Sequence, residues 1–373
     1  MSIVSVIKVD RYDTALLERA VDEHFDRLGL SGEIKPDMKV LIKPNLLSAR
    51  KPECVATTHP EVVLAIIKKL RSLGVASVTV ADSPCGPYLS ANLSSVYSAC
   101  GYKRLEEYAA LNHSTGSGKV RNEAGRVVKE FDIIDPIREA DYIINVAKLK
   151  THSLTGMSGG IKNMFGAIPG LVKPEMHYHF PTIGGFSEML LDLCETLRPN
   201  VTFIDAVIGM EGEGPNMGTP KDCGYFLASR DVYAQDEVAA GIIGIPADKV
   251  EMIRIAKERG LFDPGETVLV GDNIECMNFS LPQTDDDSYL SGIPSFMRGP
   301  VGFFAKRFLK PVPAVSKKSC VGCGKCAESC PQHIIEIKNR KAVIIKKSDC
   351  ISCFCCQEMC PAHSITVKRR LRR

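Results

Sequence analysis

The sequence predicts an α/β protein in two parts: a mostly parallel sheet with helices on both faces, followed by a small α+β module. Three observations predict it. Short β-branched runs alternate with helix-period segments across residues 1–295. Nine of the 15 cysteines crowd between Cys320 and Cys360. At 373 residues the chain exceeds one typical domain, while 45% hydrophobic and 24% charged residues suit a protein that buries sizeable cores. We therefore expect residues 1–295 to form the α/β domain, 296–315 a linker and 316–373 the cysteine module.

The elements follow in order. Met38 to Ile42 is a short apolar strand, and His59 to Leu73 sets Val63, Ile66, Ile67 and Leu70 at helical spacing. Ala76 to Ala81 returns to a strand, completing a βαβ unit. Asn122 to Val128, centred on Glu-Ala-Gly, predicts a hairpin inserted between units. Tyr142 to Ala147, Phe186 to Leu197 and Val201 to Ile204 repeat the strand, helix, strand pattern. Asp236 and Glu237 read as the cap and first-turn acid of an Ala-rich helix. The stretch Pro300 to Pro313, basic, apolar and bounded by prolines, predicts a linker helix.

The cysteine spacing identifies what the module binds. Cys320, Cys323, Cys326 and Cys330 precede Pro331, and Cys350, Cys353, Cys356 and Cys360 precede Pro361, so C-x2-C-x2-C-x3-C-P occurs twice. Spacings of three put three thiolates on one tight loop around an iron–sulfur cubane, and the fourth cysteine reaches the other cluster. Two [4Fe–4S] clusters follow, one on Cys320, Cys323, Cys326 and Cys360, the other on Cys350, Cys353, Cys356 and Cys330. A β-branched stretch follows each run, as a duplicated ferredoxin-like two-cluster fold requires. Zinc sites would instead pair two C-x2-C units across a longer spacer. Cys355 is a ninth thiol outside the pattern and reads as a bystander. Cys54, Cys85, Cys100, Cys194, Cys223 and Cys276 match no metal spacing, although Cys54 and Cys85 lie near the loops discussed next.

In the α/β part, polar residues follow the strands. Lys43 and Asn45 come after Ile42, Asp82 after Ala81, Lys148 and Lys150 after Ala147, and Asp205 after Ile204. Open α/β sheets bind ligands beyond these carboxyl ends. Between Lys150 and His179 the chain is dense in Gly, Lys and His, as a functional loop would be. There Ser158, Gly159 and Gly160 lead into Ile161, Lys162 and Asn163, either as a backbone nest for an anion or as a Gly-rich turn. The Walker A spacing is absent, and no G-x-G-x-x-G supports a dinucleotide. His59, His152, His177 and His179 are candidate proton donors or metal ligands. A second cluster, Gly209 to Asn216, spaces Glu211 and Glu213 among glycines, and its carboxylates suit a cation or a general base.

Charge limits the partners. A net +3 does not suit a nucleic-acid binder, and the one long run of cations is the stretch Lys368 to Arg373. Lys8, Asp10 and Arg11 interrupt the start of the chain, and no apolar run reaches the roughly 18 residues of a membrane span. The expectation is a cytoplasmic protein without a leader.

LIKPNL (Leu41 to Leu46), THP (Thr58 to Pro60), KLKTH (Lys148 to His152), GGIKNMFG (Gly159 to Gly166) and GMEGEGP (Gly209 to Pro215) together resemble the domain-of-unknown-function 362 family. That family often carries a C-terminal ferredoxin module. The α/β part also resembles, distantly, that of nickel-dependent lactate racemases, which implies a hydroxy-acid-like anionic ligand. Three functions fit. The first is an iron–sulfur oxidoreductase of anaerobic metabolism, fed by a redox protein. In it Lys148, Lys150, His152, His177, Asp205 and Glu211 act on a small anionic metabolite held by Lys43, Asn45, His59, Asp82, Gly159, Gly160, Lys162 and Asn163. The second is an electron carrier or maturation subunit that docks a protein. The third is a non-redox isomerase or lyase whose clusters serve structure or sensing.

Overall fold

The computed structural model describes residues 1–282 and 309–371. Residues 1–282 supply β1 (Ser2–Lys8), β2 (Lys39–Pro44), β3 (Ser77–Val80), β4 (Ala110–Leu111), β5 (Ser117–Arg121), β6 (Glu130–Ile134), β7 (Tyr142–His152), β8 (Gly156–Ser158), β9 (Val201–Glu211), β10 (Thr219–Ser229) and β11 (Thr267–Gly271). Nine of these form one sheet in the order β11-β1-β10-β9-β7-β2-β3-β4, with β8 paired to β7. The run from β9 through β7, β2 and β3 to β4 is parallel. Strand β10 is antiparallel to both its neighbours, β9 and β1. The expected α/β architecture is present, with an antiparallel insertion that the alternating pattern did not reveal.

Strand periodicity produces two cores. Along β9, Val201, Phe203 and Val207 enter one cluster, and Ile204 and Ala206 the other, because successive side chains leave opposite faces. Helices Thr14–Leu28 and Pro60–Ser72 cover the first face. On the second face, helices Ile183–Leu197, Val232–Ile243 and Glu251–Glu258 pack. Helix Pro60–Ser72 alone buries Val62, Val63, Ile66, Ile67 and Leu70, each worth about 1.5–3 kcal/mol.

Several boundaries differ from expectation. Strands β7 and β9 run to His152 and Glu211, so Lys148, Lys150, His152 and Asp205 lie inside strands rather than after them. All of β7 is buried, and a strand buried on both faces loses the alternation that marks its end. The hairpin is built by β5 and β6 around residues 122–129. The Ala-rich helix starts at Val232 with Asp231 as its cap, which places Asp236 and Glu237 inside the helix.

The C-terminal module holds β12 (Leu309–Val315), β13 (Ile335–Lys338), β14 (Lys341–Ile344) and β15 (Ile365–Leu371), with antiparallel pairs β12/β15 and β13/β14. Most of the expected linker helix, residues 300–308, lies outside the described residues. Leu309–Val315 is a strand of the module rather than part of a helix. Pro311 and Pro313 stand two apart, so both can turn to the unpaired edge where no amide is needed.

Candidate functional site

The strand-end residues separate into three groups. In the first, the Lys43 ammonium lies 2.8 Å from Asp82 Oδ1, both out of solvent. The chain passes so close at Gly166 that a Cβ there would stand 2.0 Å from Asp82 Oδ1. In the second, Lys148 Nζ lies 2.9 Å from Asp205 Oδ2 and donates to Tyr12 Oη at 2.6 Å. The Tyr12 hydroxyl donates to Asp205 Oδ1, and the His59 amide to Oδ2, each at 2.9 Å. The His59 ring stacks on Tyr12 at 3.7 Å, while its Nδ1 accepts the Glu61 amide that opens the following helix. Lys148, Asp205 and His59, expected at a substrate, thus form a closed and self-neutralised structural network.

The third group surrounds a cavity of about 80 Å³ that opens to solvent. Its floor is a relay of amides. Lys150 Nζ donates to Asn45 Oδ1 at 3.0 Å, Asn45 Nδ2 to Asn163 Oδ1 at 2.9 Å, and Asn163 Nδ2 to Asn145 Oδ1 at 2.7 Å. Lys162 and Lys173 complete a triad of cations. Lys173, on helix Val172–His179, donates to Ser83 O at 2.6 Å and Ser83 Oγ at 3.0 Å. Lys162 rests over the rings of Phe165 and Phe186. None of the three has a carboxylate within ion-pair distance among the described residues.

The electrostatics follow from that lack. Burial, then the nearby Lys162, lowers Lys150 to about 7, and Glu358 only partly opposes this. Burial likewise lowers Lys173 to about 8 and depresses Lys162. Burial, then the three cationic or imidazole neighbours Lys162, Lys150 and His177, holds His152 far below its usual value. His152 Nδ1 accepts amides of Leu154 at 3.0 Å and Thr155 at 3.4 Å, so the neutral ring carries its proton on Nε2. Nε2 lies 3.5 Å from Glu358 Oε1. His177, lowered by burial to about 3, stacks on Phe186 at 4.2 Å and lines the same space.

Part of the wall belongs to the C-terminal module. Ser329, Cys355, Glu358 and Met359 face the cavity. The module is fastened there by Asn216 Nδ2, which donates to Glu358 O at 2.8 Å. The expected bystander Cys355 is therefore a wall residue. Lys173 and Glu358 are wall residues beyond those expected; Lys173 is the third lysine in the Lys150–His179 stretch, which signals it, and nothing local marks Glu358.

Other expected residues lie elsewhere. The Gly160 amide donates to Asp236 Oδ1 at 2.6 Å and the Ile161 amide to Oδ2 at 3.0 Å. The amides expected to form a nest beside Gly159 and Gly160 are thus already answered by the protein's own carboxylate. Glu211 accepts the Ser280 amide at 2.9 Å and lies 3.8 Å from Lys221 Nζ, away from the cavity. His179 does not line the cavity. Cys85 lines it as a neutral thiol pushed up to about 12 by burial and then Glu358, whereas Cys54 is exposed in the turn Pro52–Cys54. Among the described residues no three His, Cys, Asp or Glu side chains converge on a single metal ion.

In the module the two cysteine runs repeat down to the backbone. Gly322 and Gly324 have positive φ, as do Ser352 and Phe354 thirty positions on, and His333 is matched by His363. Short helices Lys325–Glu328 and Cys355–Glu358 occupy equivalent places. Cys320, Cys326, Cys330, Cys350, Cys356 and Cys360 share one core. The Cys326 thiol is raised to about 11 by burial and then by Cys360, Cys323 and Cys320. That of Cys356 is raised by burial and then by Cys353, Cys350, Cys330 and Cys326. Amides also point at the sulfurs: Ser364 N lies 3.2 Å from Cys360 Sγ, and Ala342 N and Ser352 N lie 3.4 Å from Cys320 and Cys350 Sγ. Grouped thiols with amide donors suit iron–sulfur clusters.

Comparison with known proteins agrees. Residues 319–364 match the family model for a 4Fe-4S dicluster domain. The thylakoid-associated protein sll1697 of Synechocystis sp. is 28% identical over 324 residues, covering 82% of this chain and 96% of that protein. The structure of the lactate racemase apoprotein from Thermoanaerobacterium thermosaccharolyticum aligns with a TM-score of 0.40 at 12% identity. That alignment covers 62% of this chain and 55% of that one. No helix among the described residues is long and apolar enough to cross a membrane. Residues 40–241, more than half of the chain, match the model for the domain of unknown function DUF362, and the protein belongs to that family.

Proposed function

We propose that the protein is an iron–sulfur oxidoreductase whose substrate is a small anion bound in the cavity between the α/β domain and the C-terminal module. The observation that carries this reading is the shared wall: Cys355 and Glu358 face the same space as Lys150, Lys162 and Lys173. Buried cations without carboxylate partners are stabilised by an anion that brings its own charge. Cys320, Cys323, Cys326 and Cys360 would hold one [4Fe–4S] cluster, and Cys350, Cys353, Cys356 and Cys330 a second. Such clusters, when bound, supply single electrons. Lys162 and Lys173 neutralise the ligand. Lys150, titrating at about 7, is matched to proton donation near neutrality. His152 offers a neutral Nε2–H to orient a ligand oxygen, and His177 walls the space with Phe165 and Phe186. The same reading expects a reducing, cytoplasmic setting, in keeping with fifteen cysteines that form no disulfide with one another.

The test is anaerobic. Purified holoprotein is reduced, freed of reductant and mixed with fractions of a cell metabolite extract, and cluster reoxidation is followed by electron paramagnetic resonance. We expect one fraction to reoxidise the native protein and to leave a Lys162→Ala variant reduced. Equal reoxidation of both, or none of either, sinks the reading.

A further inference from the structure

The chain's small net charge conceals a division. Residues 316–373 carry thirteen Lys and Arg against four Asp and Glu, whereas residues 1–315 carry thirty-four against forty. Of the four acids, Glu358 is turned into the cavity, Glu336 pairs with Lys338 and Asp349 with Lys346. Lys317, Lys318, Lys325, Arg340 and Lys347 are exposed and have no carboxylate partner among the described residues.

These cations are not spread evenly about the module. The loop that carries Cys320 and Cys323 packs on the Arg340 backbone, since a Cβ on Gly322 would stand 2.3 Å from Arg340 O. Lys341 Nζ donates to Cys320 O at 2.6 Å. Lys317 and Lys318 sit in the turn closed by the Cys320 amide on Ser316 O, and Lys325 follows two residues after Cys323. At the centre, Val321 is 64% exposed and Cys323 is the module's one exposed cysteine. By contrast, the other thiol group flanks Cys355 at the cavity wall.

We infer that the Val321–Cys323 loop and its ring of Lys317, Lys318, Lys325, Arg340 and Lys341 form the docking surface for an acidic one-electron carrier protein. An apolar centre within a charged rim gives contact without permanence, and the charge steers encounter. A membrane surface is a poorer match, because the module's helices are four residues long and offer no amphipathic face. In the complex the reduced carrier gives up one electron and the module takes up one. This assignment rests on the module carrying electrons and not on what the cavity binds.

The probe is reduced flavodoxin, an acidic one-electron carrier, titrated into full-length holoprotein by calorimetry and mixed with it in stopped flow. Binding should weaken at least tenfold between about 20 and 200 mM salt, as exposed charges lose their reach over a Debye length near 10 Å. The double variant Lys317→Glu, Lys318→Glu should lose at least tenfold in affinity, and the milder Lys325→Gln about twofold, with cluster absorbance unchanged in both. Salt-independent binding, or equal affinity in the variants, overturns the proposal. So does tighter retention, in the same buffer, on phosphatidylglycerol–phosphatidylcholine vesicles or on single-stranded DNA. Salt-dependent docking together with no metabolite that reoxidises the protein keeps this surface and sinks the reductase reading instead.

Discussion

Lys148 and Lys150 lie two residues apart on β7 and are each 1% exposed, yet their surroundings are opposites. Lys148 donates to a carboxylate and to a phenol on which an imidazole stacks, so its charge is answered inside the protein. Lys150 has neutral amide and carbonyl oxygens for partners and a second lysine as its strongest charged neighbour. The strand changes register against β9 between them: Lys148 stands opposite Asp205, and Lys150 opposite Met210. Burial alone therefore does not make a functional lysine. Under the proposed function, burial without a carboxylate in ion-pair distance does, because an entering anion adds the missing charge.

The largest effect is expected at Asp205. Asp205→Ala strands the buried Lys148 ammonium, and leaving one partner of a buried pair uncompensated costs about 3–5 kcal/mol. Urea unfolding should show a much lower midpoint, and a native midpoint would mean that the network is not structural.

A second, intermediate effect concerns pH. Lys150 titrates at about 7 in the folded protein because of burial and Lys162, with Glu358 and Cys85 opposing and Lys148 adding; unfolded it titrates near 10.4. Between pH 7 and 10 the unfolded chain holds the extra proton, so stability is lowest below pH 7 and rises with pH across that window. Lys150→Met should reduce the rise in denaturation midpoints, leaving the part that Lys173, at about 8, and the likewise lowered Lys162, Lys43 and Lys148 contribute. An unchanged slope would show that Lys150 is ordinarily charged.

The smallest effect has the opposite sign to the first. Lys162→Met removes an uncompensated charge while keeping the packing on Phe165 and Phe186, so the protein should be as stable or about 1 kcal/mol more stable. That is a rise of no more than about 2–4 °C in Tm by calorimetry. A loss of several degrees would make Lys162 structural, like Lys148.

The sequence displayed the iron–sulfur module through its two cysteine runs, because thiols on one short loop must keep a fixed spacing to share a cluster. It also displayed the βαβ units, whose period survives any tertiary arrangement. It did not separate Lys148 from Lys150, since the carboxylate that answers one and not the other arrives from β9 through a register shift. Asp236 looked like a helix cap because its neighbours favour one, whereas its partners, the Gly160 and Ile161 amides, are about seventy-five residues away. Glu358 was hidden for a related reason: its significance lies in the domain it touches, and no local pattern records that.

The shared wall has a practical consequence for dissecting the protein. Cutting the chain before the module would remove Ser329, Cys355, Glu358 and Met359 together and turn the cavity into an open trough. Water would then reach the three lysines and return their affinity for protons toward that of surface lysines. A fragment made for convenience would therefore test the proposed anion in a wet, fully charged groove rather than in the cavity. Ligand screens on this protein need the whole chain.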